Sequence, residues 1–155
     1  MQGLLSDNIR FTTLLAAKTT GSSDGASSNV DMAADGGFDG VMFVMPVGDC
    51  DTAGTVEIHA GQAATDTTIT EYTSAAVTTT GVDDTVLVLD IYRPTMRYVG
   101  VNYVRGGTTN STIGPLIAIQ YRGKTRPSTS VVGVAGGTIG TQGVGATIGQ
   151  YVSPA

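Results

Sequence analysis

Cys50 and His59 are the only cysteine and the only histidine of the chain, and together they could supply a thiol nucleophile and its base. Such chemistry requires the histidine to be held beside the thiol. A chain with one residue of each type always offers this pair, so its presence carries little weight. His59 also falls on the polar side of an alternating segment, with no second histidine to share a metal ion. We expect both residues to be structural.

Three short patterns resemble chemical motifs but lack a necessary part. Asp49 and Asp51 resemble a fragment of a calcium loop, but the spaced third ligand and its glycine are missing. Asp51–Gly54 contains an extra alanine relative to an Asp-Thr-Gly protease motif. In the Gly-rich C-terminal stretch no Gly-Lys-Ser/Thr sequence follows the glycines and no strand leads into a helix, and a phosphate-binding loop needs both. The sequence therefore predicts no catalytic residue, no metal site, no cofactor and no enzymatic activity.

The charges divide at one point of the sequence. Residues 1–90 contain all thirteen acidic residues and two basic ones, net −11, whereas residues 91–155 contain six basic residues and no acid, net +6. One interpretation is that opposite regions dock on copies of the protein or on a larger charged surface. The other is that the two signs mix in three dimensions, because strands from both halves pair in one sheet. The sequence leaves both open.

The basic residues of the second half are the candidate docking residues. Several lie near tyrosines, as in some nucleic-acid surfaces, but the overall pI of about 4.5 disfavours that partner. We instead predict docking on an acidic protein surface, through side chains that fall mostly at strand ends: Arg93, Arg97, Arg105 and Arg122.

Composition and alternation predict an all-β fold. The chain has 22 glycines, is rich in threonine and valine, and contains no tryptophan, which favours short strands separated by turns. Short spacings with hairpin-like links predict an antiparallel β-sandwich of jelly-roll type. We expect a loop over Gly21–Asn29 and strands within these segments: Met1–Thr20, Phe38–Val47, Thr55–Ala60, Thr67–Thr80, Thr85–Tyr92, Met96–Arg105 and Ile113–Tyr121.

The C-terminal segment differs in character from the rest. We divide the chain into a β-sandwich domain, residues 1–127, and a Gly/Val/Thr-rich arm, residues 128–155. The arm could be a disordered tail or two thin strands, but its β-branched residues favour an extended arm that orders against a neighbouring subunit. The arm residues predicted to lie at that interface are Val131, Val132, Val134, Ile139, Val144 and Ile148.

Nothing in the sequence predicts a membrane partner. The longest apolar run, Val41–Val47, is far too short to span a bilayer, and the start of the chain lacks the features of a secretory signal. The single cysteine excludes a disulfide framework within one chain. We expect a protein made in the cytoplasm.

The region Asp90–Pro127, together with the opening Leu5–Ile9, resembles a family of small structural proteins of tailed bacteriophages. The resemblance rests on a strand that ends in Arg-Pro, a strand from Arg-Tyr to Tyr-Val-Arg-Gly, an asparagine turn and a following Ile-Ala-Ile-Gln-Tyr strand. The corresponding residues are Arg93–Pro94, Arg97–Tyr98, Tyr103–Gly106, Asn110, Ile117–Tyr121 and Pro127. The Gly-rich extension from Ser128 has no counterpart in the resemblance.

Members of that family decorate the phage head as cement proteins. The resemblance implies a non-enzymatic β-rich protein, often a homotrimer, that sits on the capsid surface of the virion and contacts the major capsid protein and itself. Stabilisation would follow from binding only to the assembled shell. Two alternatives remain at this stage: a head–tail connector or tail component of the same virion, and a carbohydrate-binding module on the virion surface.

Overall fold

A computed structural model of the protein describes residues 9–52, 54–106, 110–122 and 147–152, and for residues 72–75 and 147–152 it describes the backbone alone. The described residues form twelve strands and one short 3-10 turn, Ala34–Gly36. The strands are β1 Ile9–Leu15, β2 Lys18–Gly21, β3 Gly25–Ala26, β4 Val30–Asp31, β5 Gly40–Cys50, β6 Thr55–Ala63, β7 Thr70–Thr80, β8 Thr85–Tyr92, β9 Tyr98–Gly106, β10 Ser111–Ile113, β11 Leu116–Tyr121 and β12 Thr147–Val152.

The first sheet is built around β5. One edge of β5 pairs antiparallel with β8, and the other edge pairs with β11 and then β10, which follow each other end to end. Strand β1 pairs with β11, and β2 pairs with β10, so the N-terminal strands form one border of the sheet. At the other border β12 pairs with β8, in parallel.

The second sheet is antiparallel and is built around β9 and β6. Strand β9 pairs with β6 on one edge and with the short strands β3 and β4 on the other, while β7 borders β6. The chain alternates between the two sheets, since β5 and β8 lie in the first and β6, β7 and β9 in the second. The all-β antiparallel sandwich predicted from the sequence is confirmed.

The core lies between the two sheets and is filled by every second residue of the long strands. β5, β8, β6 and β9 supply most of it, and the most deeply buried side chains include Val41, Phe43, Met45, Val56, Ile58, Leu87, Leu89, Ile91, Val99 and Val101. Burying a side chain of this size stabilises the fold by roughly 1.5–3 kcal/mol. In β6 the alternation of apolar and polar residues determines which face turns inward.

Several strand boundaries differ from those expected. The segment Thr67–Thr80 contains one long strand, Thr70–Thr80, and the strand predicted to end at Val47 continues to Cys50. Ile113–Tyr121 is divided into β10 and β11 by Gly114 and Pro115, since proline has no N–H for a ladder. The loop Gly21–Asn29 contains the short strand β3, whose Gly25 lies directly against the Tyr103 ring.

The predicted arm is described in part. Of its interface residues, Val131, Val132, Val134, Ile139 and Val144 lie outside the described residues, and Ile148 lies in β12. Strand β12 pairs with β8 of the same chain, with Thr147 opposite Val86 and Val152 opposite Ile91. Within the single chain, the open β8 edge of the first sheet receives this extended segment; the predicted contact with a neighbouring subunit stays a prediction.

Candidate docking surface

The outer face of the first sheet is apolar. In β5 the odd-numbered residues from Val41 to Val47 point into the core, and the even-numbered residues Met42, Val44 and Pro46 point outward and are half-buried. Strands that face water on one side normally carry polar residues there. The outer face of the central strand of this sheet is therefore unusual.

Neighbouring strands extend this apolar face across the sheet. Phe11 lies opposite Ile119, which lies opposite Met42, and Ile117, Val44 and Val88 form the next row. The Phe11 side chain is 64% exposed. We call this surface the apolar face and define it by eight residues of β1, β5, β8 and β11: Phe11, Met42, Val44, Pro46, Val86, Val88, Ile117 and Ile119.

A groove of about 530 Å³ adjoins the apolar face where β5, β8 and β10 approach β2. Pro46 and Val86 line it together with Gly114, which has no side chain to fill the space in front of Pro46. Lys18 and Asp84 also line it. The groove gives the apolar face a concave region bordered by one charge of each sign.

The outer face of the second sheet is polar. His59 Nε2 lies 2.9 Å from Glu57 Oε2, and the Asn102 amide donates a hydrogen bond of 2.7 Å to Glu71. Glu57 and His59 lie on the polar side of β6, as the alternation of Thr55–Ala60 predicted, and Glu71 and Asn102 come from the two strands that flank it. The two outer faces of the sandwich therefore differ in chemistry, and the first sheet has the one suited to protein contact.

Cys50 and His59 are not brought together. Cys50 is 2% exposed and belongs to the core beside the first sheet, where its backbone N–H donates to the Asp83 carboxylate at 2.7 Å. His59 points away from the core on the second sheet and is bound to Glu57. The arrangement that a cysteine nucleophile needs is absent from these two residues.

Three of the four predicted docking arginines lie at one end of the sandwich and are exposed. Arg97 donates two hydrogen bonds to Asp31, at 2.7 and 2.9 Å. The same hydrogen bonds lower the pKa of Asp31 to about 2 and raise the pKa of Arg97. Arg122 donates to the carbonyls of Asp35 and Gly37. The guanidinium of the third, Arg93, stacks over the Tyr92 ring at 5.2 Å.

Arg105 does not fit the predicted docking role. Its side chain is 7% exposed, and its guanidinium donates to the carbonyl oxygens of Ser23, Thr19 and Ser111 at 2.9, 3.1 and 3.2 Å. Its backbone N–H also donates to the Asp24 carboxylate at 2.8 Å. Arg105 lies in the second sheet, whereas Thr19 and Ser111 lie in the first, so this side chain joins the two sheets rather than facing a partner.

The fold brings together some of the acidic and basic residues that the sequence separates. Arg97 from the basic half pairs with Asp31 from the acidic half, and strands of both halves are neighbours in each sheet. Arg10 pairs with Asp35 at 3.0 Å, close to Arg122. Of the two interpretations left open by the sequence, mixing of the two signs is the one that the described residues display.

One carboxyl group lies at the border of the apolar face. Asp90 is half-buried and accepts a hydrogen bond of 2.8 Å from the Tyr121 hydroxyl. The Tyr121 ring reaches it by passing over Gly40, where a Cβ atom would lie 2.3 Å from the ring. Burial raises the pKa of Asp90, and the Tyr121 hydrogen bond lowers it in part.

The described residues contain neither a group of three His, Cys, Asp or Glu side chains placed to hold a metal ion nor a helix long and apolar enough to cross a membrane. No family model, curated protein or solved structure matches the chain. The class of protein that the structure defines is thus an all-β sandwich with one apolar and one polar outer face.

The apolar face was not anticipated, although its residues gave a signal. Phe38–Val47 is apolar at both odd and even positions, a pattern that predicts a strand buried on both sides. An apolar outer face behind a core strand gives the same pattern. The two are distinguished by the burial of the folded strand, since the odd-numbered residues Val41–Val47 belong to the core and the even-numbered ones are only half-buried.

Proposed function

We propose that this protein is a non-enzymatic structural protein that docks on the shell of a virus particle and stabilises it. The proposal rests on the apolar face, a contiguous set of eight outward apolar side chains on one sheet of the sandwich. Large exposed apolar patches on soluble proteins mark contact surfaces. The resemblance to phage decoration proteins supplies the identity of the partner, the major capsid protein.

The energetic basis of such docking is burial of the apolar face. Aliphatic side chains at the centre of an interface contribute most when they are fully desolvated. The exposed arginines at the end of the sandwich, Arg93, Arg97 and Arg122, would act mainly on the rate and salt dependence of association. A subunit that binds only the assembled shell shifts the equilibrium toward assembly, because it stabilises that state alone.

The proposal is tested by cosedimentation with empty heads assembled from the major capsid protein of the same virus. Val44→Lys places a charge at the centre of the apolar face and should reduce binding at least about tenfold, since an unpaired charge is costly to bury. Val104→Lys is the matched control, because Val104 is a half-buried strand residue on the polar outer face. This variant should bind like the parent.

Two outcomes would contradict the proposal. Equal binding by both variants would mean that the apolar face is not the docking surface. A lower unfolding temperature for Val44→Lys with unchanged binding would mean that other residues of the chain cover this face. Copy number in purified particles separates decoration from a connector role, since a decoration protein covers the whole shell and a connector forms a single ring.

A further inference from the structure

The β8 edge of the first sheet is occupied by a strand unlike the others. β12 is parallel to β8, whereas every other pairing among the described strands is antiparallel. It follows a link of 25 residues, 122–146, while the longest other link between consecutive strands, 32–39, has eight. Which molecule contributes β12 to this edge therefore has to be decided separately from the rest of the fold.

Within one chain, this link would have to make a crossover. β11 and β12 run in the same direction and lie on opposite sides of β5 and β8. The inner face of the sheet is closed by the second sheet. The link would therefore have to pass over the apolar face or around an end of the sandwich. Parallel strands of one sheet are usually joined through a helix that packs on the sheet.

The sequence of the link is unsuited to a helical crossover. Residues 122–146 include seven glycines and Pro127, and each glycine in a helix costs about 1 kcal/mol relative to alanine. The link is also much longer than the sideways step requires. Three strand spacings amount to about 14 Å, whereas 25 extended residues reach roughly 80 Å. A link of this length is long enough to reach a neighbouring molecule.

We propose that the β8 edge receives β12 from a second copy of this protein. Exchange of an identical strand keeps the register, with Gly149 opposite Val88, and removes the need for a crossover. Main-chain hydrogen bonds along Val86–Ile91 would hold the two copies together, as they do when a strand is added to a sheet edge. This inference does not depend on what the apolar face binds.

The test uses cysteine pairs in a Cys50→Ser background. A tagged Val88→Cys chain and an untagged Gly149→Cys chain are refolded together and oxidised. A disulfide between the two chains can form at these positions only if β12 of one lies on β8 of the other. We expect a mixed dimer on a non-reducing gel.

The matched control uses Met42→Cys and Ile119→Cys, which lie opposite each other in β5 and β11 of the folded sheet. The double variant should cross-link within one chain, and the two single variants mixed together should give no mixed dimer. This control shows that refolding does not itself produce cross-links between chains.

A second measurement does not depend on disulfide formation. The full chain should sediment as an oligomer, and a chain ending at residue 146 should sediment as a monomer with its β-sheet circular dichroism retained. A monomeric full chain would overturn the proposal. So would a Val88→Cys/Gly149→Cys double variant that cross-links only within one chain, because β12 would then belong to its own subunit.

Discussion

Replacing the buried Arg105 with methionine should lower the midpoint of thermal unfolding by about 6–16 °C. Methionine fills most of the same space but cannot donate the three guanidinium hydrogen bonds, so the carbonyls of Thr19, Ser23 and Ser111 lose their partner. At somewhat over 1 kcal/mol for each bond, the loss is about 3–4 kcal/mol. In a chain of this size, each kcal/mol shifts the midpoint by about 2–4 °C.

The measurement is the β-sheet circular dichroism signal followed with temperature. Arg105→Lys should fall between the parent and the methionine variant, since an ammonium can replace some of the donors. Arg97→Met is the matched control and should change the midpoint little, because solvent and salt screen the exposed Arg97–Asp31 pair. A midpoint for Arg105→Met within about 2 °C of the parent, no more than the loss of one hydrogen bond would give, would refute the role assigned to Arg105.

The same variant distinguishes the structural role of Arg105 from its predicted docking role. If Arg105 joined the sandwich to a partner, Arg105→Met would unfold like the parent and bind empty heads more weakly. We expect the reverse, a lower midpoint with binding retained at temperatures where the variant is folded.

Two further predictions concern pH. The folded-state pKa of Asp31, about 2, lies below the ordinary value of 3.8 for an aspartate, so the contribution of Asp31 to stability is present above about pH 4 and is lost as the pH falls toward 2. At low salt the unfolding midpoint of Asp31→Asn should therefore fall less than that of the parent between about pH 5 and 2.5. Parallel curves for the two proteins would contradict this. The folded-state pKa of Asp90 is raised by burial, so its carboxylate costs stability at neutral pH and the cost is relieved as the pH falls through that pKa. Asp90→Asn keeps an acceptor for the Tyr121 hydroxyl and should raise the unfolding midpoint at pH 7. The difference from the parent should shrink in acid, where the parent carboxyl is protonated. A lower midpoint for Asp90→Asn at pH 7 would show that the charge of Asp90 stabilises the fold.

The fold class could be read from the sequence because local signals agreed. Thr85–Tyr92 is strongly β-prone and ends before Pro94, and Thr55–Ala60 alternates between apolar and polar residues. Both segments form strands as expected. The predicted strand boundaries were less accurate where a glycine or proline interrupts strand pairing, as at Gly114 and Pro115.

The candidate site could not be read in the same way, because it depends on which strands become neighbours. The apolar face combines residues of four strands that are distant in sequence, and no single strand reveals that its second apolar side faces outward. The burial of Arg105 depends on carbonyl groups of Thr19 and Ser111, which approach it only after both sheets have formed. Both features depend on contacts between residues that are far apart in the sequence.

The pairing of β1 with β11 also has a consequence for biosynthesis. Ile9 lies opposite Tyr121, so the border strand of the first sheet must wait for its partner until most of the chain has left the ribosome. Non-local pairing of this kind slows folding. During that delay the apolar segment of β5 is already synthesised but lacks β11, and for the first part of the delay it lacks β8 as well, which leaves it open to association with other nascent chains. Slow translation or a holding chaperone should therefore affect the yield of this protein more than that of a helical protein of equal length.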